Sequence, residues 1–405
     1  MSTQRPNRNS ENIRTYSTSA LEGQTDNTFK DSNGTPYSTN EKLTIANNGK
    51  ITFRERIHHF TWAWFTLTMS TGGIALLLAN TPHKFNGLII LGTSFSFWIY
   101  AFSASLQDAT ESLFFPTFWI SLLSIIANTQ LYGVPRCGQW LITTLRVIFW
   151  IYTALTFFCA VGQYCYLFAA KQQTLQSMTP AWILPIFPVM LCGTLASVTT
   201  GSQTPEHALP MLVAGISFQG LGILVAVFMY GPYIGRLMTN GLPEPNTRPG
   251  MFIAVGPPSF TGLALLGMSE NFSKIYPAYT TISSITNPDI IADIFRIIAV
   301  SAAVFLWATA FWFFCISIVS VLAGAKDMSF HLVWYAFVFP NVGFTIVIIN
   351  IGKAFKSEGV LWVGSGLTII LVIVWLLVFA AHIRAVVLKQ VLWPGKDEDK
   401  GERNE

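Results

Sequence analysis

Hydrogen-bond donors interrupt several long apolar runs of this chain, and most of them stand beside a glycine or a proline. The breaks are Thr71-Gly72-Gly73, Pro257-Pro258 and Pro340. A broken helix exposes N–H groups whose partial positive charge can face an anion. The pattern therefore predicts an anion path, with the candidate donors Ser70, Thr71, Gly72, Gln219, Ser259, Thr261 and Asn341.

Each candidate donor has a second interpretation. Serine and threonine hydroxyls often bond back to their own helix, and small residues ease the packing of helices. Basic residues near the ends of apolar runs are equally open to two roles. Arg146, Lys353 and, less strongly, Arg296 could attract or bind anions. Their side chains could instead reach out to lipid headgroups.

Other chemistries lack the residues they need. No carboxylate lies near the middle of an apolar run, which disfavours cation-coupled carriers and proton pumps. The six histidines and five cysteines form no HExxH or CxxC pattern, and no nucleotide-binding GxxxxGK[ST] loop is present. Such patterns carry metal and phosphate chemistry. We therefore expect no metal, no cofactor, no nucleic-acid partner and no enzymatic activity.

The composition is that of a membrane protein. Of 405 residues, 52% are hydrophobic and only 11% are charged, whereas soluble domains carry about 25% charged residues. A helix that crosses a bilayer needs about 20 mostly apolar residues. On this scale the sequence predicts an all-α polytopic protein with ten transmembrane helices, near residues 60–80, 88–106, 113–131, 141–168, 182–200, 209–231, 251–269, 296–323, 332–351 and 360–388.

The remaining segments are polar. Residues 1–55 are rich in Ser, Thr and Asn and are predicted to be a disordered cytoplasmic tail. Residues 56–390 form the predicted ten-helix domain, and residues 391–405 form a polar cytoplasmic tail.

Lys and Arg are more frequent on the side of the two termini, which predicts that both termini are cytoplasmic. A glycosylation sequon, Asn271-Phe272-Ser273, falls on the predicted outer side.

Helix breakers concentrate in the odd-numbered predicted spans. A proline inside a helix removes a hydrogen bond, and in lipid the freed backbone groups must be covered by protein or by a watery cavity. The even-numbered spans lack internal proline apart from Pro210 at an entry. We therefore expect five hairpins, each with a bent inner helix and a straighter outer helix, around a central pore. The expected kinks are at Pro116, Pro185, Pro188, Pro257, Pro258 and Pro340.

Phe339 stands directly before one of these breaks. A ring at the bend of an inner helix could plug a narrow pore, because a rotamer change alone would move it. The alternative is core packing, which is the usual role of phenylalanine in a chain with 32 of them.

Several motifs resemble one transporter family. They lie at residues 59–65, 71–73, 180–188 (PAWILPIFP), 217–222, 248–252 (RPGMF), 256–260 (GPPSF), 334–344 (WYAFVFPNVGF) and 393–399. Together they resemble the tellurite-resistance/dicarboxylate transporter family, which includes the plant guard-cell slow anion channel. The resemblance spans about residues 54–399.

The resemblance implies a specific fold and function. It implies five hairpins around a central pore in each protomer, a homotrimer, and Phe339 as the pore gate. The runs at 180–188 and 248–252 look like the malate branch of the family. We therefore expect transport of C4-dicarboxylates (malate, succinate, fumarate) across the plasma membrane, as monoanions with proton coupling or simple acid stimulation. The alternatives are sulfite efflux and a regulated anion channel.

Overall fold

The computed structural model describes residues 28–30, 36–38, 62–82, 113–170, 174–275 and 288–390. The chain divides into two compact units, Met1–Glu55 and Arg56–Glu405. In the first unit, β1 (Thr28–Lys30) and β2 (Pro36–Ser38) pair as antiparallel strands, with Phe29 opposite Tyr37. The second predicted span, 88–106, and the C-terminal tail lie outside the described residues.

Every described element of the second unit is helical, and four of the α-helices continue from a 3-10 segment. These four preceding 3-10 segments are Trp62–Trp64, Pro180–Ile186, Pro245–Val255 and Leu332–Phe337, the last of which is separated from its α-helix by Val338. The α-helices are α1 (Phe65–Asn80), α2 (Pro116–Asn128), α3 (Gln139–Ala170), α4 (Phe187–Thr199), α5 (Pro205–Asn240), α6 (Gly256–Ile275), α7 (Pro288–Gly324), α8 (Phe339–Ala354) and α9 (Glu358–Val387).

Eight helical segments in the described residues are long and apolar enough to cross a membrane. They correspond to eight of the predicted spans. The third predicted span is different, because α2 has 13 residues and continues into a five-residue π-helical turn, Thr129–Gly133.

Buried and exposed helical spans alternate along the chain. The helix breakers predicted this alternation of inner and outer helices. The spans that contain α1, α4, α6 and α8 are 83–89% buried over their most apolar windows. The spans that contain α3, α5, α7 and α9 are only 22–33% buried. Helices that are apolar all round but exposed need lipid as their environment. We call α1, α2, α4, α6 and α8 the inner helices, and the other four the outer helices.

The prolines stand where a helix changes its winding. Pro188 and Pro340 are the second residues of α4 and α8, and Pro257 is the second residue of α6. The first turn of an α-helix tolerates proline, because its N–H groups have no intrahelical acceptor. The proline breaks are thus helix starts, and Pro185 alone of the expected kink residues lies inside a 3-10 segment. The break expected at Thr71-Gly72-Gly73 was wrong, because α1 runs through these residues without interruption.

One detail of the proline pattern was wrong. The even-numbered spans were expected to lack internal proline beyond Pro210, yet α5 extends to Asn240 and contains both Pro210 and Pro232. Pro232 is exposed. The apolar run of this span ends near residue 231, whereas the helix continues to Asn240.

Candidate functional site

The N-terminal ends of the five inner helices and their 3-10 segments enclose a small cavity. Its walls include Thr66 on α1, Thr117 on α2, Leu184 before α4, Ile253 before α6 and Ala336 before α8. The cavity offers about 30 Å³ to the centres of water molecules. That is room for about two waters, and far less than an organic acid needs.

The cavity wall is apolar. Thr66 and Thr117 carry the two hydroxyl groups among the described lining residues, and both hydroxyls are already donated. Thr66 Oγ1 donates to the carbonyl of Ala63, and Thr117 Oγ1 donates to the carbonyl of Phe114 at 2.6 Å. A wall without free donors resists a desolvated anion and favours a dry cavity.

Helix dipoles oppose this resistance. Since the five inner helices all begin beside the cavity, their partial positive ends lie on that side. The arrangement makes the surroundings of the cavity more favourable for an anion than for a cation.

Three phenylalanine rings pack together beside the cavity. Phe339 stacks on Phe260 with ring centroids 5.0 Å apart and planes 23° apart. Phe187 meets both rings edge-on, at 6.4 Å from Phe339 and 5.9 Å from Phe260. Phe339 and Phe187 line the cavity, while Phe260 lies behind them and is fully buried. We call these three residues the aromatic seal.

Glycines make the aromatic seal possible. A Cβ at Gly73 would lie 3.2 Å from Cδ2 of Phe339, and one at Gly343 would lie 2.8 Å from Cε2 of Phe260. A Cβ at Gly256 would lie 2.7 Å from Cζ of Phe187. Real Cβ atoms do not approach as closely as those at Gly343 and Gly256 would, and the distance at Gly73 is tighter than most real Cβ contacts. The rings therefore occupy space that a side chain at these positions would need.

One family model matches most of the length of this chain. The family model SLAC1, described as a voltage-dependent anion channel, matches residues 59–383. The chain belongs to the SLAC1 family. This confirms the family resemblance inferred from the motifs.

Two relatives of this SLAC1 chain come from Schizosaccharomyces pombe. The malic acid transport protein is 33% identical over an alignment of 367 residues that covers 85% of this chain and 82% of the relative. A putative malic acid transport protein is 34% identical over 85% of this chain and 84% of its own length. The sulfite efflux pump SSU1 of Trichophyton rubrum is 25% identical over 80% of this chain and 90% of that pump.

In this member of the SLAC1 family, three candidate donors bond back to their own helix. Ser259 Oγ donates to the carbonyl of Val255 at 2.7 Å, and Thr261 Oγ1 donates to that of Pro257 at 2.7 Å. Thr71 Oγ1 donates to the carbonyl of Leu67 at 2.8 Å. A hydroxyl has one hydrogen, so in this conformation these three groups have none left for an anion.

Two further candidates hold inner helices together. Ser70 Oγ donates to the carbonyl of Tyr335 at 3.2 Å, which joins α1 to the segment before α8. The carbonyl of Gly72 accepts a 2.9 Å bond from Nδ2 of Asn128, which joins α1 to α2. Both contacts are buried, and they keep the walls of the cavity in register.

The two amide candidates are buried in helix contacts. Gln219 Nε2 donates to Thr261 Oγ1 at 2.8 Å, between α5 and α6, and Asn341 Nδ2 donates to the carbonyl of Phe337 at 2.9 Å. The side-chain oxygen of each is buried with no hydrogen-bond partner among the described residues. Neither residue is among the described residues that line the cavity.

The three basic candidates lie on α3, on α7 and at the end of α8. Arg146 is half-buried on α3, an outer helix, and Lys353 is exposed in the last turn of α8. Arg296 is exposed on α7. None of the three is among the described lining residues of the cavity. An anion-binding role for them stays a prediction.

Sequence reasoning missed two of the three rings. A signal was present for Phe187, because the Phe-Pro pair that marks Phe339 and Pro340 occurs again as Phe187 and Pro188. Phe260 has no such mark. Its place in the aromatic seal depends on the contact of its ring with Gly343 on another helix.

Proposed function

We propose that this chain carries C4-dicarboxylates across the plasma membrane, with malate as the principal substrate and succinate and fumarate as further ones. The observation that carries the proposal is the 33–34% identity to two malic acid transport proteins over 85% of the chain. The helix dipoles around the cavity support an anionic substrate.

The proposed architecture has ten transmembrane helices in five hairpins, with residues 88–106 as the second helix. The alternation of buried inner and exposed outer helices supports it. So does the cavity, to which five inner helices contribute. Both termini are cytoplasmic in this proposal, and the protein is a homotrimer.

Phe339 is the proposed gate. The cavity is too small for an organic acid, and the rings of Phe339 and Phe187 form part of its wall. Passage of an organic acid through the cavity therefore requires the ring of Phe339 to leave its position. An apolar constriction favours a monoanion, because a dianion costs more to desolvate. We accordingly propose that transport increases as the external pH falls.

The test is uptake of labelled malate by cells that express the chain and lack their own dicarboxylate transporter. Uptake is measured at acidic and neutral external pH, with succinate and sulfite as competitors. Acid-stimulated uptake that succinate blocks is the expected result. No malate flux from protein located at the plasma membrane would refute the proposal. A series of pH values at constant monoanion concentration then separates proton symport, which varies with pH, from selection of the monoanion, which does not.

Two alternative functions, sulfite efflux and a regulated anion channel, have specific support. The similarity to sulfite efflux pumps, at 25% identity over 80% of the chain, favours sulfite. Rescue of a sulfite-sensitive strain without its own pump would establish that activity.

The family description favours a regulated anion channel, with the polar N-terminal tail as its regulatory segment. Unitary currents in patch recordings distinguish a channel from a carrier, which gives saturable flux without them.

A further inference from the structure

The ring of Phe339 contacts three other inner helices. A Cβ at Gly73 of α1 would lie 3.2 Å from the ring. The ring of Phe260 on α6 is stacked on it at 5.0 Å, and the ring of Phe187 on α4 meets it edge-on at 6.4 Å. The stack on Phe260 is the closer of the two ring contacts, and a moving Phe339 must break it.

Phe260 itself has little freedom to move. It is fully buried and lies against Gly343, one helical turn beyond Phe339 on α8. A Cβ at Gly343 would lie 2.8, 2.9 and 3.0 Å from three atoms of the Phe260 ring. Phe187 contacts the same ring edge-on at 5.9 Å. The ring thus contacts α8 at both Phe339 and Gly343, and α4 at Phe187.

We propose that Phe260 is a positioning residue that holds the ring of Phe339 in the closed aromatic seal. Phe260 does not line the cavity in the described residues, so it acts through Phe339 and not on the anion. Opening then requires the stacked pair to separate. The inference rests on the proposed role of Phe339 as the gate, and it adds a second residue that sets how often the gate is open.

The test is anion leak through the purified full-length protein in liposomes. Four proteins are compared: wild type, Phe260→Leu, Phe339→Ala and the double variant. Leucine keeps an apolar side chain but cannot stack. An aromatic pair contributes an amount of free energy that corresponds to about a 2- to 12-fold change in a two-state equilibrium. Phe260→Leu should therefore raise the chloride leak by about that factor. In the Phe339→Ala background it should add nothing, because the group it positions is absent.

Phe344→Leu is the matched control. Phe344 is buried on the same helix and stacks on Trp307 at 5.2 Å and on Phe314 at 5.0 Å. It is not among the described lining residues of the cavity. This variant should lower the thermal midpoint in detergent without raising the leak. If Phe260→Leu does not fold, Phe260→Met replaces it, since methionine fills irregular space well.

Each outcome decides the inference. It is overturned if Phe260→Leu folds and leaks no more than wild type while Phe339→Ala leaks. It is equally overturned if the two effects multiply in the double variant, or if Phe339→Ala itself gives no leak. Malate flux is measured in parallel. A protein that carries no malate, but whose chloride leak responds as predicted, would refute the proposed substrate and support the role of Phe260.

Discussion

Phe187 and Phe339 occupy the same position in two inner helices, and their rings meet at 6.4 Å. Each is the first residue of its α-helix, each follows a 3-10 segment, and each is followed by proline. Both rings line the same cavity, so equivalent junctions in two helices each place a ring there.

The equivalence predicts that Phe187 contributes to the seal as Phe339 does. Phe187→Ala should raise anion leak in liposomes about 10-fold, which corresponds to a barrier lowered by about 1.4 kcal/mol. The reason is that the ring lines the cavity, and its removal widens the constriction. Phe344→Ala removes a buried ring of α8 that is not among the described lining residues and should leave the leak unchanged. Equal leak from both variants would mean that general loosening, and not the seal, controls leakage.

Two glycines on α5 should respond in opposite ways to alanine. A Cβ at Gly222 would lie 2.3 Å from Cβ and 2.7 Å from Cα of Met190, whereas one at Gly220 would meet nothing within 4 Å. Gly222→Ala must push α5 away from α4 and should cost about 1–3 kcal/mol or more. Gly220→Ala should be neutral or stabilise the helix by up to about 1 kcal/mol. Thermal midpoints in detergent compare the two. Similar midpoints would contradict the close contact of α4 with α5.

Asn271 should carry no glycan despite its sequon. Its side chain is buried, and Nδ2 donates to the carbonyl of Ser197 at 2.8 Å and to Thr200 Oγ1 at 2.9 Å. Treatment with a peptide N-glycosidase should leave the gel mobility unchanged. Asn271→Ala should destabilise the protein by about 1–3 kcal/mol, because it leaves a buried carbonyl without its donor. A glycan on Asn271 would show that this end of α6 is packed differently.

Tyr335 and His382 join the segment before α8 to α9. The hydroxyl of Tyr335 lies 2.8 Å from Nδ1 of His382, and Nε2 of that histidine is buried without a partner among the described residues. Tyr335→Phe leaves both ring nitrogens unpaired and should destabilise the protein by about 1–3 kcal/mol. Tyr166→Phe, at an exposed tyrosine of α3, is the control and should be neutral. Equal thermal midpoints for the two variants would contradict a structural role for the pair.

The sequence by itself determined the class of the protein and the separation of inner from outer helices. Apolar runs of spanning length predict transmembrane helices, because lipid offers no partner to an unpaired backbone group. Breakers such as Pro257 and Pro340 predict which helices lie inside, because only covered helices tolerate broken hydrogen bonding. The position of Phe339 before such a break makes it a candidate gate, and that role stays a prediction. These are local properties, and each is visible in a short stretch of residues.

Only the tertiary structure decided which polar groups are free and which rings meet. Ser259 and Thr261 had two interpretations from sequence, and their hydroxyls bond to the carbonyls of Val255 and Pro257. Whether a hydroxyl bonds back or faces a pore depends on how the neighbouring helices are rotated. Phe260 stacks on Phe339 because Gly343, on the other helix, leaves room for its ring. Such contacts join residues that are distant in the chain, so no spacing in the sequence encodes them.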